Sequence, residues 1–186
     1  MLSAGATAYT YDRNGNELSA GSRTFTYDLA NRVKTTAAAG TTTTYTYDGN
    51  GIRLQASTGT QAAKTTNFLW DVNQGLPLLA REDNGSGTLQ RRYVYGQRLI
   101  FMSTSASNAY YSHYDPLGSV RDVTSSTGAT QLTYDYEPYG SVRTQTGTLT
   151  NFVKFTGEYQ DPTGLYHLRA RQYDPASGRF LRLDPP

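Results

Sequence analysis

Aromatic residues alternate with polar ones in short stretches that recur along the chain, and each stretch ends in an aspartate. The clearest are Tyr9-Thr10-Tyr11-Asp12, Phe25-Thr26-Tyr27-Asp28, Tyr45-Thr46-Tyr47-Asp48 and Phe68-Leu69-Trp70-Asp71. Because successive side chains of a β-strand point to opposite faces, a two-residue period puts both rings on the same face. The pattern therefore predicts a series of strands that each present an aromatic face.

The residues after each aspartate predict a tight turn. A glycine or asparagine follows the aspartate at the third position, as Gly15, Asn31, Gly51 and Gly118 do. An aspartate side chain accepts hydrogen bonds from the backbone N–H groups that follow it, and glycine tolerates the positive φ that a hairpin loop needs. Polar and apolar residues then alternate again, so each repeat is predicted to be a β-hairpin.

The spacing of these units indicates a repeat architecture over the whole chain. One aromatic residue of each unit, which we call its anchor, lies 16 to 25 residues from the anchor of the next unit. Phe155 fills the longer gap between the last two anchors. The anchors are Tyr11, Tyr27, Tyr47, Trp70, Tyr95, Tyr114, Tyr134 and Tyr173. A period of this size is typical of stacked supersecondary units. We predict an all-β fold of stacked antiparallel hairpins in a curved or spiralling strip, with Tyr11, Tyr27, Tyr47, Tyr114 and Tyr134 equivalent.

The amino-acid composition excludes several classes of function but does not identify one. The 186 residues include no cysteine, which excludes disulfides, thiolate catalysis and cysteine-ligated metals. Two isolated histidines, His113 and His167, predict neither a metal site nor a cofactor site. The net charge of +2 is weak support for nucleic-acid binding, and no apolar run approaches the ~20 residues of a membrane span. Residues 1–11 have no basic start followed by an apolar run, so no signal peptide is expected there.

The last third of the chain carries a more specific series of motifs. These are Tyr114-Asp115-Pro116-Leu117-Gly118, Phe155-Thr156-Gly157, Gly164-Leu165-Tyr166, Arg171-Gln172-Tyr173-Asp174-Pro175 and Gly178-Arg179-Phe180. In this order they resemble the Rhs/YD-repeat family, which includes Rhs toxins, the C components of Tc toxins and teneurins. Residues 110–186 resemble the repeat-associated core of that family, and residues 1–109 resemble degenerate YD repeats of the same continuous unit.

The resemblance implies a structural function. In the family, YD repeats form a hollow β-shell that contains a C-terminal toxin, and the core segment closes one end. It implies a secreted or cell-surface bacterial protein whose partners are neighbouring YD repeats or a toxin domain, without nucleic acid. The chain is much shorter than a full shell. The alternative is therefore a short surface or filament protein that self-associates through its open strand edges.

The resemblance also implies candidate residues for an aspartyl-type self-cleavage near the C-terminus. Asp184 is the first candidate and Asp174 the second, with Arg171 or Arg182 as the cation that holds one carboxylate ionised. The alternative for Asp174 is that it only caps a turn, as Asp12 and Asp48 are expected to do. The chain as given is not expected to be an enzyme, and cleavage is expected only in a longer chain.

Overall fold

Two antiparallel sheets account for the strands of the protein. The computed structural model describes residues 2–4, 7–73, 75–105 and 108–183. The first sheet consists of β1 (Leu2–Ala4), β2 (Thr7–Tyr11), β3 (Glu17–Ala20), β4 (Arg23–Tyr27), β5 (Val33–Ala38), β6 (Thr41–Tyr47), β7 (Arg53–Ser57), β8 (Thr65–Asp71), β9 (Leu78–Asn84), β10 (Leu89–Tyr95), β11 (Leu99–Ser103), β12 (Tyr110–Tyr114), β13 (Val120–Ser125), β14 (Thr130–Tyr136) and β15 (Val142–Thr146). The second consists of β16 (Tyr159–Gln160), β17 (Tyr166–Leu168), β18 (Arg171–Asp174) and β19 (Arg179–Phe180).

The order of strands in each sheet is their order in the chain, so both sheets are simple meanders. The larger sheet runs through the predicted boundary at residues 109 and 110, because β11 pairs with β12. In the described part of the chain the helical structure amounts to two three-residue 3-10 turns, Ala62–Lys64 and Phe155–Gly157. The prediction of an all-β fold made of stacked antiparallel hairpins is confirmed.

The hairpin turns have the predicted Asp-x-x-Gly structure. The carboxylate of Asp48 accepts hydrogen bonds from the backbone N–H groups of Asn50 at 2.9 Å and Ile52 at 2.8 Å. The N–H of Gly51 donates to the carbonyl of Asp48, and Gly51 has a φ of 85°. A side chain would be strained in that conformation, which explains the choice of glycine. Asp12 and Asp28 make the corresponding bonds.

The two aromatic positions of the repeat have different tasks. The first aromatic side chain is buried in the core, at Tyr9, Phe25, Tyr45, Phe68, Tyr93 and Tyr134. The second is half-buried on the same face, and in five repeats it donates a hydrogen bond to the backbone of the preceding hairpin. The donor–acceptor pairs are Tyr27–Glu17, Tyr47–Val33, Trp70–Arg53, Tyr114–Leu99 and Tyr136–Val120, at 2.7 to 2.8 Å. The residue that supplies each carbonyl is paired across the strands with the second aromatic of the preceding repeat. The hydrogen bonds therefore link consecutive repeats.

This ladder corrects the predicted equivalence of Tyr134 with the other anchor tyrosines. Tyr136 occupies that position, because its hydroxyl donates to the Val120 carbonyl and it pairs with Val142. Tyr134 instead takes the buried first position. The sequence Tyr134-Asp135-Tyr136-Glu137 contains two possible anchors, and the turn forms after Glu137, whose carbonyl accepts from the N–H of Gly140 at 2.8 Å.

A β-bulge at one fixed place in the repeat explains the curvature of the larger sheet. In seven hairpins the register shifts immediately before the second aromatic, for example between Thr46 and Tyr47. The return strand has one extra residue there, as Leu54 is in β7. A bulge bends its strand and increases the local twist. Repetition of the same bulge therefore curves the whole sheet.

Two hydrophobic clusters fill the inner face of the curved sheet. One joins Phe25, Val33 and Tyr45 to Leu165 and Leu181, which come from the end of the chain. The other joins strands β8 to β14 to Val153 and Tyr159. The inner face is therefore covered by residues 149–183, which we call the C-terminal segment.

Candidate functional site

The C-terminal segment crosses the inner face of the sheet and is fixed to it by backbone hydrogen bonds. The N–H of Glu17 donates to the carbonyl of Leu181 at 2.8 Å, and the N–H of Val120 donates to that of Lys154 at 3.0 Å. These anchors lie in β3 and β13, near opposite ends of the strand order. A single segment thus connects early and late repeats.

The hairpin of β18 and β19 contacts an early strand and the last turn of the larger sheet. Asp174 forms an ion pair of 3.2 Å with Arg23 in β4, while the hydroxyl of Tyr173 donates to the carbonyl of Tyr139 at 2.9 Å. Tyr139 belongs to the turn between β14 and β15. An early and a late part of the curved sheet therefore contact the same hairpin on the inner face.

Asp174 has the geometry of a structural residue. It is buried, with 5% of its surface exposed, and its Oδ1 accepts the N–H of Ala176 at 3.0 Å as a turn cap. Its Oδ2 pairs with Arg23. These bonds are the ones expected if Asp174 only caps a turn. The cation paired with its carboxylate is Arg23.

Of the two arginines predicted to assist cleavage, Arg171 lies in β18 with Asp174, and Arg182 follows β19. The guanidinium of Arg171 stacks 3.6 Å from the ring centre of Phe180. Arg182 donates from Nη2 to the carbonyl of Ala170 at 2.6 Å. Asp184 lies outside the described residues, so its role in cleavage stays a prediction.

Glu17 is a buried carboxyl that the sequence analysis did not identify. It is 1% exposed and lies near Asp174. Burial raises the pKa of Glu17 to about 7; the charge of Asp174 adds to this effect, and Arg23 opposes it. The carboxyls of Glu17 and Asp174 therefore lie close together where the first repeats contact β18. The guanidinium of Arg23 interacts with both of them.

Arg53 and Asp161 form a second buried charged group, in the centre of the molecule. Their side chains are 0% and 1% exposed, and Arg53 Nη1 donates to Asp161 Oδ2 at 2.8 Å. The guanidinium also lies 4.7 to 5.5 Å from the ring centres of Tyr45, Phe68 and Tyr159. Such cation–π contacts partly compensate the loss of water around the cation.

Asp161 differs from the other turn aspartates in the use of its carboxylate. The backbone of Asp161 to Gly164 forms the usual turn, with Gly164 N–H donating to the Asp161 carbonyl at 2.9 Å. The side chain, however, binds Arg53, and Asp161 Oδ1 has no hydrogen-bond partner among the described residues. Burial raises the pKa of Asp161, although Arg53 opposes the shift.

A signal for two of these missed residues exists in the repeat itself. The residue paired with the second aromatic points into the core, and it is Val33, Leu99 or Val120 in three hairpins. Glu17 and Arg53 occupy the same position, each paired with a repeat tyrosine. A charged residue at an otherwise apolar core position indicates a specific partner. No comparable signal distinguishes Asp161 from the other turn aspartates.

The histidines have separate environments. His113 contacts Thr124 at 3.0 Å on the exposed face of β12, whereas His167 is buried against Trp70. Burial lowers the pKa of His167 well below its usual value, and Arg53 and Arg169 lower it further, so the ring is neutral. Within residues 2–4, 7–73, 75–105 and 108–183, no three His, Cys, Asp or Glu side chains are grouped as metal ligands. That part of the chain also has no helix long and apolar enough to cross a membrane.

Comparison with known proteins gives a family match over nearly the whole chain. The family model described as Teneurin YD-shell matches residues 2–185. The tRNA3(Ser)-specific nuclease WapA of Bacillus spizizenii is 32% identical over 181 residues, and the tRNA nuclease WapA of Bacillus subtilis is 33% identical over the same length. Each alignment covers 95% of this chain and 8% of the relative, so the chain spans under a tenth of their length.

Solved structures show the same fold in larger assemblies. The crystal structure of TcdB2-TccC3 superposes with a TM-score of 0.71 at 20% identity, covering 94% of this chain and 10% of the other. The Tc holotoxin pore of Photorhabdus luminescens gives a TM-score of 0.71 at 20% identity, covering 94% of this chain and 9% of that one.

Proposed function

The chain belongs to the teneurin YD-shell family, and from this premise we propose that it forms the closing end of a shell that contains a C-terminal toxin. The observation that supports the proposal is the C-terminal segment, which covers the inner face of the sheet and contacts both an early strand and the last turn of that sheet. A wall made only of hairpins would leave its inner aromatic face open. The segment covers that face at one end of the shell.

The names of the relatives suggest the kind of cargo. Two relatives that are 32% and 33% identical to this chain over 95% of its length are described as tRNA nucleases. We propose that in a longer protein the shell wall continues from β1 towards the N-terminus, and that a toxic enzyme follows the C-terminal segment. The shell then keeps the enzyme away from the producing cell until delivery. Export of such a protein to the cell surface or medium is part of the same proposal.

The proposal is tested on a full-length protein that includes this chain, upstream repeats and the downstream domain. Limited proteolysis followed by mass spectrometry reports whether the downstream domain is protected. We expect protection in the native protein and loss of protection when docking of the C-terminal segment is weakened by Gly140→Ala. The control Gly128→Ala, in a turn that faces solvent, is expected to leave protection intact. Rapid digestion of the downstream domain in the native protein would contradict containment.

Release by self-cleavage is a second step of the proposal. Asp184 remains the first candidate, with Asp174 and the cations Arg171 and Arg182 as the other predicted participants. Asp161 is tested beside them, because its buried carboxyl has one oxygen without a hydrogen-bond partner among the described residues. The test appends a family-type downstream sequence and a reporter domain, and follows release on a denaturing gel. Loss of release in Asp184→Asn or Asp161→Asn supports the role of that carboxyl, and unchanged release removes it.

The alternative function is self-association through open strand edges. In the sheet order β1 and β15 each have one neighbour, so each offers an edge to another strand. Sedimentation velocity of the isolated chain tests this alternative. A concentration-dependent series of larger species supports it, and a monomer at high concentration contradicts it.

A further inference from the structure

The turns of the larger sheet lie along two rims, because a meander of antiparallel strands reverses direction at alternate edges. Turns that follow even-numbered strands form the first rim, and turns that follow odd-numbered strands form the second. The described residues of the first rim are 12–16, 28–32, 48–52, 72–73, 75–77, 96–98, 115–119 and 137–141. Side chains connect neighbouring turns of this rim, as when Arg32 Nη1 donates to the Asp48 carbonyl at 3.0 Å. The turns of the first rim therefore form an ordered row.

Large apolar side chains project into solvent from the first rim. Leu29 is fully exposed and Leu117 is 72% exposed, and Val72, Leu76 and Tyr139 are also exposed. In the part of the second rim that the structure describes, no large apolar side chain is exposed. The second rim consists mostly of glycine, alanine, serine and threonine. Exposed apolar surface that is concentrated on one side indicates contact with a partner.

The C-terminal segment already packs on both ends of the first rim. At the first turn, Leu183 lies so close to Gly15 that a Cβ there would be 2.7 Å from the Cδ1 of Leu183. At the last turn, the ring of Phe155 lies against Gly140 in the same way. The first rim is thus a packing surface within this chain, and the apolar side chains of its middle turns are the part that the segment leaves exposed.

The spacing of the apolar side chains indicates what kind of surface covers them. Neighbouring strands lie about 4.8 Å apart, so successive turns of one rim lie about 10 Å apart. Leu29, Val72 and Leu117 belong to the second, fourth and sixth turns, and the turns between them present Gly49-Asn50 and Gly96-Gln97. Apolar turns therefore alternate with small or polar ones. A second row of hairpins has the same period, so its turns fit between these side chains along the whole rim.

We propose that the first rim, and not the second, packs against another row of YD hairpins in the adjacent winding of the shell wall. The inference rests on the proposed function, because it requires that the wall continue beyond this chain. The WapA relatives, of which this chain covers 8%, contain enough further residues for such a row. The second rim, with its small and polar turns, then faces solvent at the closing end of the shell.

The absence of cysteine from this chain allows each rim to be labelled at one chosen position. Leu29→Cys and Leu117→Cys report on the first rim. Ser86→Cys and Ser126→Cys are the matched controls, at exposed turns of the second rim. Each substitution is made in the isolated chain and in a full-length protein that contains this chain with its upstream repeats. Reaction with a water-soluble maleimide is followed by mass spectrometry of the peptide that carries the introduced thiol.

We expect both positions of the first rim to react at least tenfold more slowly in the full-length protein than in the isolated chain, because the neighbouring row covers them. The two control positions should react at similar rates in both proteins. Sedimentation velocity identifies concentrations at which each protein is monomeric, and labelling is carried out there. Thermal unfolding confirms that each variant is folded, and Val72→Cys replaces a variant of the first rim that does not fold.

Similar reaction rates at the first rim in the isolated chain and in the full-length monomer would overturn the proposal, and so would slow reaction confined to the second rim. Slow reaction of the first rim that appears only in oligomers would identify a second copy as the partner, which also overturns it. Protease protection of the downstream domain is measured on the same preparations. A protected domain beside a fast-reacting first rim removes this proposal and leaves containment standing.

Discussion

At the scale of single residues, an aspartate side chain caps the turn in several of the repeats. The carboxylate of Asp48 accepts two backbone N–H groups that would otherwise lack intramolecular partners. The sequence predicted this geometry because aspartate and glycine have specific backbone preferences that act over four residues. Interactions of that range do not depend on the rest of the fold.

Replacement of such an aspartate is expected to destabilise the protein without affecting any activity. Asp48→Ala should lower the free energy of unfolding by about 1 kcal/mol, since the acceptor of two N–H groups is lost. Chemical denaturation measures the change. The control is Asp122→Ala in the middle of β13, away from any turn, with an expected effect within about 0.5 kcal/mol. Equal effects of the two substitutions would show that turn capping is unimportant.

The buried carboxyl of Glu17 predicts a dependence of stability on pH. Its folded pKa of about 7 lies above the unfolded value, so the folded state binds more protons between the two values. Stability from this group is therefore present at low pH and is lost as pH rises through about 7. The groups that face it are Asp174, Arg23, Arg179 and Tyr11.

The measurement compares the native protein with Glu17→Gln, which cannot ionise. Between pH 5 and pH 8 the native protein should lose on the order of 2 kcal/mol more unfolding free energy than the variant. Other buried carboxyls affect both proteins equally, so the difference isolates Glu17. Parallel pH profiles of the two proteins would contradict a buried, protonated Glu17.

At the scale of elements, the repeat is a hydrogen-bonded ladder as well as an aromatic stack. In five repeats the second aromatic donates to the backbone of the preceding hairpin, a bond that tyrosine and tryptophan can make and phenylalanine cannot. The alternation predicted strands and the buried face. It did not choose between Tyr134 and Tyr136 as anchor, because both fit a two-residue period and only the position of the turn separates them.

Removal of one hydroxyl from the ladder tests this interpretation. Tyr47→Phe keeps the ring but removes the donor to the Val33 carbonyl, so we expect a loss of about 1 kcal/mol in the free energy of unfolding. Tyr111→Phe is the control, because that ring is on the exposed side of β12. Denaturant unfolding of both variants distinguishes a ladder bond from a general preference for tyrosine in strands, which would give similar effects.

Packing of the C-terminal segment on the sheet is tested by comparing alanine substitutions at two glycines. Gly140 and Gly128 both have positive φ, at 90° and 83°, so alanine causes similar backbone strain at each. A Cβ at Gly140 would overlap the ring of Phe155, whereas nothing lies within 4 Å of a Cβ at Gly128. Gly140→Ala should therefore cost about 1–3 kcal/mol more than Gly128→Ala. Equal costs in thermal or chemical unfolding would mean that Phe155 does not pack on this turn.

At the scale of the whole molecule, the sequence predicted the curved strip but not what lies inside it. A two-residue period identifies the face of a strand that is buried, yet it does not identify the partner of that face. The contacts of Leu165 and Leu181 with Phe25 and Val33 span well over a hundred residues of sequence. The pairing of Arg53 with Asp161 likewise depends on the complete fold, and neither residue has a local signal for the other.

Covering of the inner face requires that the C-terminal segment be part of the folded core. Amide hydrogen exchange measured by mass spectrometry tests this most directly, because it reports protection for each segment of the native chain. We predict that peptides covering 159–182 exchange as slowly as those from β4 to β7, and that all lose protection together in denaturant. Rapid exchange of 159–182 while β4 to β7 remain protected would contradict closure by this segment.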